Sequence, residues 1–434
     1  MREAGEVYLP RHREESDVGY KERLEAAVLL NLTEQTLNTL SSKPFKEPIA
    51  LGEDVPEAIE DGVLPDVDLL GNDLTVFCQQ WFREGIAKAF AHVLVDITPT
   101  EGREPGKPWT LDDARKAGQR PFWTLVPPEC VIFASCRVVG GREVLDHVRI
   151  LEEYAEIDGY AEVKKARIRV LTPGKVTILI PGTKKGRWVE EDSWETGLDY
   201  IPLVTFYADR EAPFVGKPPL LDLAYLNVAH WQSTSDQRHI LSVSRFPILA
   251  CSGANGEDSS TVVIGPNKIL YVPDPKGSFY YVEHSGAAIE AGAKDLAALE
   301  EQMAGYGAEF LRKRPGSPTA TARALDSAES CSLLGSMAVC FEDAVAQALD
   351  ITADWLGLEG GAGGRITVAK DFDLTGEDSA GLDALEKARA RRDISRKAYI
   401  AGLKARKVLP EEYDEEEDME ELMEESPGLM GGGV

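Results

Sequence analysis

Residues 294–318 read KDLAALEEQMAGYGAEFLRKRPGSP. Leu296, Leu299, Met303, Tyr306 and Phe310 recur at spacings of 3, 4, 3 and 4, which places all five on one stripe of an α-helix that faces a packing partner. Lys294, Glu300, Glu301 and Gln302 fall on the opposite face. A helix over 287–313 would span roughly 40 Å at 1.5 Å per residue. The run Arg312-Lys313-Arg314-Pro315-Gly316-Ser317-Pro318 ends it, because two prolines cannot continue a helix. Beyond the loop, Thr319 or Thr321 is placed to cap a third long helix. That helix carries Leu334, Met337, Phe341, Val345 and Trp355 at helical spacing, and Gly357 suits its C-terminal stop. Before the quoted stretch, Pro218 and Pro219 lead into a first long helix, Leu220 to Phe246. The insertion between the first two helices, Pro247 to His284, offers Val262 to Ile264, Ile269 to Val272 and Phe279 to Val282 as short strands. Helix, strand-rich insertion, helix, basic loop, helix is an order that builds a wall or channel rather than a pocket.

Upstream, residues 20–42 read as one helix with Leu24, Val28, Leu32 and Leu37 among its apolar positions, followed by a linker containing Pro48, Pro56 and Pro65. Helical periodicity returns from Asn72 and passes into the strand-like His92 to Val95. Residues 99–120, polar and rich in Gly and Pro, read as an exposed loop. From Phe122 to Tyr207 the pattern is β. Gly140-Gly141 marks a turn between Cys136 to Val139 and Val144 to Ile150, and Thr172-Pro173-Gly174 marks another between Arg167 to Leu171 and Lys175 to Ile180. Strands without helical crossovers predict an antiparallel sheet and disfavour a doubly wound nucleotide-binding fold. Arg365 to Ala369 reads as one more strand and 377–408 as a charged helical segment, so the fold class is α+β.

The chain has 434 residues and a formal net charge of −27, which argues against tight nonspecific nucleic-acid binding through Lys and Arg. Residues 411–425 hold eleven Asp or Glu and no Lys or Arg, and 409–434 read as a disordered tail. No apolar run approaches the ~18 residues of a membrane span and the N-terminus lacks a signal peptide's apolar stretch, so an intracellular, soluble protein is expected. Cys78, Cys130, Cys136, Cys251, Cys331 and Cys340 include no CxxC pair, which predicts buried free thiols rather than disulfides or zinc. The six histidines lack HExxH or other metal-ligand spacing, and His230 and His239 lie on opposite sides of their helix. Ser252 and Ser332 sit outside any GxSxG elbow. Gly360, Gly361, Gly363 and Gly364 lack the Lys-Ser/Thr of a P-loop. No cofactor, metal or catalytic residue is expected. Arg312 to Arg314 stand out from the acidic background and fit either a helix C-terminus held by cations or a loop that touches a passing polyanion.

Several stretches, in order, carry a family resemblance: Tyr20 to Ala26, Thr36 to Phe45 running into Lys46, Glu47 and Pro48, Pro219 to Asn227, His230-Trp231, Asp236 to Leu241, Phe246-Pro247, and Thr319 to Ala322. Together they resemble the DUF4055 family of tailed-phage portal proteins, from about residue 20 to 375. The resemblance implies a portal fold with an antiparallel β-rich wing, long stem helices, a small α/β clip and a short helical crown. On this chain it implies a wing over 1–215, stem helices over 216–246 and 287–311, a clip over 247–286 and a tunnel loop over 312–321. A long wing helix and strand over 322–375 and a crown over 376–408 complete it; the acidic tail lies outside the resemblance. Stem packing would fall to Leu296, Leu299, Met303, Tyr306 and Phe310, and the DNA channel to Arg312, Lys313, Arg314, Ser317, Thr319 and Thr321. The implied function is a homo-oligomeric ring, a dodecamer, at one capsid vertex of a virion, assembled in the host cytoplasm. The implied partners are the major capsid protein, the terminase large subunit, a head-to-tail adaptor or neck protein, and double-stranded DNA passing without sequence specificity during packaging and ejection. Two other classes fit the residues: a head-to-tail adaptor ring, although adaptors are shorter, and a thiol hydrolase built on one of the cysteines.

Overall fold

Ser16 caps α1 (Asp17–Ala26) by accepting a hydrogen bond from Gly19 N, and Asn31 caps α2 (Leu32–Ser42) by accepting from Glu34 N. The single helix expected over 20–42 is therefore two. Ala27 leaves helical backbone with ψ 127°, and the Asn31 side chain satisfies a donor that only a new helix start would expose. The computed structural model describes residues 3–98, 118–183, 186–245, 248–252, 276–282, 286–309, 332–358, 362–370, 386–391, 394–405 and 413. The chain divides into two units, Met1–Phe372 and Asp373–Val434.

In the first unit, β1 (Ala50–Leu51) and α3 (Glu57–Glu60) precede α4 (Leu74–Lys88), which Asp73 caps. Ala89 turns the chain in one left-handed residue, φ 76°, into β2 (Phe90–Ile97). Then follow β3 (Pro121–Val126), β4 (Val131–Val139), β5 (Arg142–Asp158), β6 (Ala161–Thr172), β7 (Lys175–Pro181), β8 (Trp188–Glu195) and β9 (Leu203–Tyr207). All pair antiparallel, as expected, but as two sheets: β3-β2-β9 and β4-β5-β6-β7-β8. Gly140 and Gly141, both at positive φ (58° and 80°), make the two-residue β4–β5 turn, and Gly174 (φ 78°) lies in the β6–β7 turn. The strands run longer than the sequence pattern shows, because cross-strand partners extend them past the β-branched runs.

After β10 (Arg210–Ala212) and β11 (Val215–Gly216) come α5 (Leu221–Ser244), β12 (Ile248–Ser252), β13 (Ser278–Val282) and α6 (Ala287–Glu309). Of the strands expected in the insertion, the one at Phe279 to Val282 is present; Val262 to Ile264 and Ile269 to Val272 lie outside the described residues. α7 (Leu333–Leu356) starts at Ser332, whose hydroxyl accepts from Gly335 N, so its cap is Ser332 and neither Thr319 nor Thr321. Gly357 ends it at φ 65°, as expected. β14 (Ile366–Thr367) pairs with β1.

The three-stranded sheet has both faces covered. Val93, Val95, Trp123 and Phe206 look into a core built with α4 and α7, while Leu94, Val126 and Leu203 meet Val148, Ile150, Leu171, Val176 and Ile178 of the larger sheet. This is the period-2 alternation of a strand buried on both sides. Phe341 of α7 is the hub: its ring lies 5.0–5.8 Å from Phe206, Phe82, Trp81 and Phe45, edge-on to each. Three indoles of this core have their N–H groups satisfied. Trp123 donates to Thr352 Oγ1 at 2.9 Å, Trp81 to Ala91 O at 3.1 Å and the half-buried Trp355 to Val95 O at 3.0 Å. In the second unit, residues 386–390 are helical and α8 spans Arg396–Ala405; the rest of 376–408 and the acidic tail, apart from Tyr413, lie outside the described residues.

Candidate functional site

Pro218 and Pro219 introduce α5, and the run between Glu309 and Ser332 separates α6 from α7, so α5, the β12–β13 ribbon and α6 form one excursion from the core. The two helices are antiparallel, as four contacts in reverse order along the chain show. Tyr306 Oη donates to Pro219 O at 3.3 Å and lies 3.5 Å from Asp222 Oδ2. His230 Nε2 lies 3.1 Å from Glu300 Oε1, Ser233 Oγ donates to Asp295 Oδ2 at 3.1 Å, and Gln237 Nε2 donates to Ile289 O at 2.8 Å. At the far end, β12 and β13 pair over five residues, from Ile248↔Val282 to Ser252↔Ser278, with Tyr280 and Tyr281 exposed.

The four described residues of the predicted stripe face inward. Met303, 1% exposed, joins the main core with Leu220 and Leu223, and Leu296, Leu299 and Tyr306 are half-buried on the same face. The seam between the helices is more polar than the stripe implied. Phe310 and the loop residues Arg312, Lys313, Arg314, Ser317, Thr319 and Thr321 lie outside the described residues. On the solvent face of α6 Glu290 and Glu301 are exposed beside Lys294, which pairs with Glu290 at 2.9 Å, while Asp295 and Glu300 turn to Ser233 and His230 of α5.

Sequence reasoning missed the polar pegs that hold α5. Asn227 and His230, 2% and 3% exposed, begin a row continued by Thr234 and Gln237, at spacings of 3, 4 and 3, and this polar stripe is the signal that could have found them. Asn227 Oδ1 accepts from Thr33 N and Oγ1, both at 3.0 Å, while its Nδ2 donates to Leu30 O at 2.9 Å. Elsewhere on α5, Gln232 Nε2 donates to Tyr8 O, Asp236 meets His12 Nε2 at 3.0 Å, and Trp231 packs with Leu9 and Ala27. Arg23, 4% exposed, grips Glu15 with two hydrogen bonds of 2.8 Å, donates to Pro10 O and lies 3.5 Å from Asp236. The guanidinium bond holds the Glu15 carboxyl down to about 2. The segment before α2 is thereby strapped along α5.

A concave feature of about 520 Å³ opens beside β9 and α7, with Cys136, Glu143, Tyr207, Phe214, Cys340 and Asp343 among its walls. Of the five described cysteines only Cys78 is buried; Cys136, Cys251 and Cys340 are exposed, which corrects the expectation of buried thiols. They lie on a sheet edge, on the ribbon and on the outward side of α7, places that hydropathy alone does not distinguish from core. Partial burial, then Glu143 for Cys136 and Asp343 for Cys340, pushes both thiols above their usual range, the reverse of what an activated thiolate needs. Among the described residues no group of three or more His, Cys, Asp or Glu is placed to hold a metal, and no helix is long and apolar enough to cross a membrane.

The sequence model of a domain of unknown function, DUF4055, matches residues 219–356, the stretch from the root of α5 to the end of α7. No curated protein matches the chain. Among solved structures, a chain in the virion of a native gene transfer agent particle is similar at 12% identity and a TM-score of 0.39, with 97% of this chain and 98% of that one covered. A chain from the neck of an empty gene transfer agent particle with C6 symmetry scores 0.41 at 11% identity, covering 84% of this chain and 87% of that one. One from the neck of a native particle with C12 symmetry scores 0.40 at 12%, covering 84% and 86%.

Proposed function

We propose that the chain is the subunit of a portal-type ring, the channel through which double-stranded DNA enters and leaves a capsid. The observation that carries this reading is the α5–α6 hairpin, rooted by Leu220, Leu223 and Met303 in the core, ending in a β ribbon and leading into the basic run Arg312 to Arg314. The carboxylates Glu290 and Glu301 on its outer face suit a wall past which a polyanion slides without sticking, because like charge repels phosphate. The DUF4055 match over this same stretch supports the reading, as do the sequence features shared with portal proteins of that family. The hairpin is the stem, the ribbon part of a clip that meets the terminase large subunit and then an adaptor or neck protein, and the two-sheet body with α7 the wing, set among major capsid protein at one vertex. Twelve copies form the ring.

Replacing Arg312, Lys313 and Arg314 together by Gln tests the channel. The oligomer is expected to stay intact while DNA packaged per particle falls. Packaging equal to the parent's contradicts a channel contact by this loop and leaves the three charges as a helix terminus, each worth about a kilocalorie or less.

A further inference from the structure

The seam between α5 and α6 is built differently at its two ends. At the root Leu220, Leu223 and Met303 are 4%, 0% and 1% exposed and belong to the main core. Toward the ribbon the helices meet through Ser233 and Asp295 and through Gln237 and the Ile289 carbonyl, and Gly292 leaves the space in which the Gln237 amide lies. Three buried polar atoms on the row of α5 that faces α6 have no hydrogen-bond partner among the described residues: His230 Nδ1, Thr234 Oγ1 and Ser244 Oγ. A buried hydroxyl without a partner has given up its water bonds for nothing, and it regains them when the seam parts. The hydrogen bonds that close this half are exchanged for water bonds at little net cost, whereas parting the root exposes apolar surface.

We propose that the hairpin opens from its ribbon end: residues 233–244 and 287–298 separate while the root, 221–228 and 300–306, stays seated in the core. His230 and Glu300 mark the fork, the last contact before the seam turns polar. The ribbon, carried on the parting ends, is re-aimed without disturbing the body. This is a property of the single chain and holds whether or not the chain assembles; in the channel reading it makes the ribbon end the compliant end of the wall.

Hydrogen–deuterium exchange of the full chain, read by peptide mass, tests it. Amides in 233–244 and 287–298 are expected to exchange at least about tenfold faster than those in 221–228 and 300–306. Helix ends also fray, so a second measurement isolates the cause. The double replacement Thr234→Val with Ser244→Ala removes two hydroxyls that favour the open state and is expected to slow distal exchange about threefold or more, with the root unchanged. Equal exchange in the two halves overturns the proposal, as does a double variant whose distal exchange is unchanged or faster.

Discussion

His92 sits at the centre of the three-stranded sheet with no exposed surface, its Nδ1 2.8 Å from Thr205 Oγ1 and its ring 5.0 Å from that of Phe214. Burial pulls it from 6.5 down to about 4. The fold therefore holds the neutral ring, and between those two values the unfolded chain binds the proton that the folded chain refuses. The stability this provides is complete above pH 6.5 and lost as pH falls toward 4. Glu15 acts lower: its contribution is complete above the ordinary 4.5 and lost as pH falls toward about 2, where the carboxyl that Arg23 holds takes up its proton. Urea midpoints are expected to fall from pH 7 to pH 5 in the parent and to fall less in His92→Gln; equal falls would remove His92 from this role. At neutral pH Glu15→Gln leaves the buried guanidinium only Asp236, 3.5 Å away, as counter-charge and is expected to cost roughly 2 kcal/mol.

At the scale of elements, two glycines separate the rigid body from the hairpin. A Cβ on Gly85 of α4 would lie 2.4 Å from the Phe206 ring, which is fixed among Phe82 and Phe341, whereas a Cβ on Gly292 of α6 would lie 2.1 Å from the Gln237 side-chain oxygen, which can rotate away. Gly85→Ala is expected to destabilise by about 3 kcal/mol through overpacking. Gly292→Ala is expected to cost about 1 kcal/mol, the worth of the displaced Gln237 bond to Ile289. Thermal melts of the two variants rank them, and equal losses would contradict this division of rigidity. The same contrast explains what was legible in the sequence. α4 and α6 announced themselves by periodicity, α5 by the Pro218-Pro219 pair that opens it, and Gly140-Gly141 and Pro173-Gly174 announced their turns, because these signals are local. β12 did not, since its partner lies 26 residues on, between Ser252 and Ser278. The start of α7 was misplaced because Thr319, Thr321 and Ser332 are chemically equivalent caps until packing selects one. The polar seam was hidden because Leu296 and Leu299 carry the right spacing, and spacing does not tell full burial from half.

For the whole molecule, the three-stranded sheet is covered on one face by α4 and α7 and on the other by a five-stranded sheet, and the hairpin is rooted in the first of these cores. The apolar run Val93-Leu94-Val95 indicated a strand, but that two sheets would enclose it depended on pairings more than a hundred residues apart, such as His92↔Thr205. In the proposed ring a formal charge of −27 on each copy would oppose assembly at low salt, and added salt would screen it. Negative-stain images of the purified full chain at moderate salt decide whether the ring forms. Class averages of a closed ring with a central hole are expected. Particles the size of one chain across salt and protein concentration would contradict it.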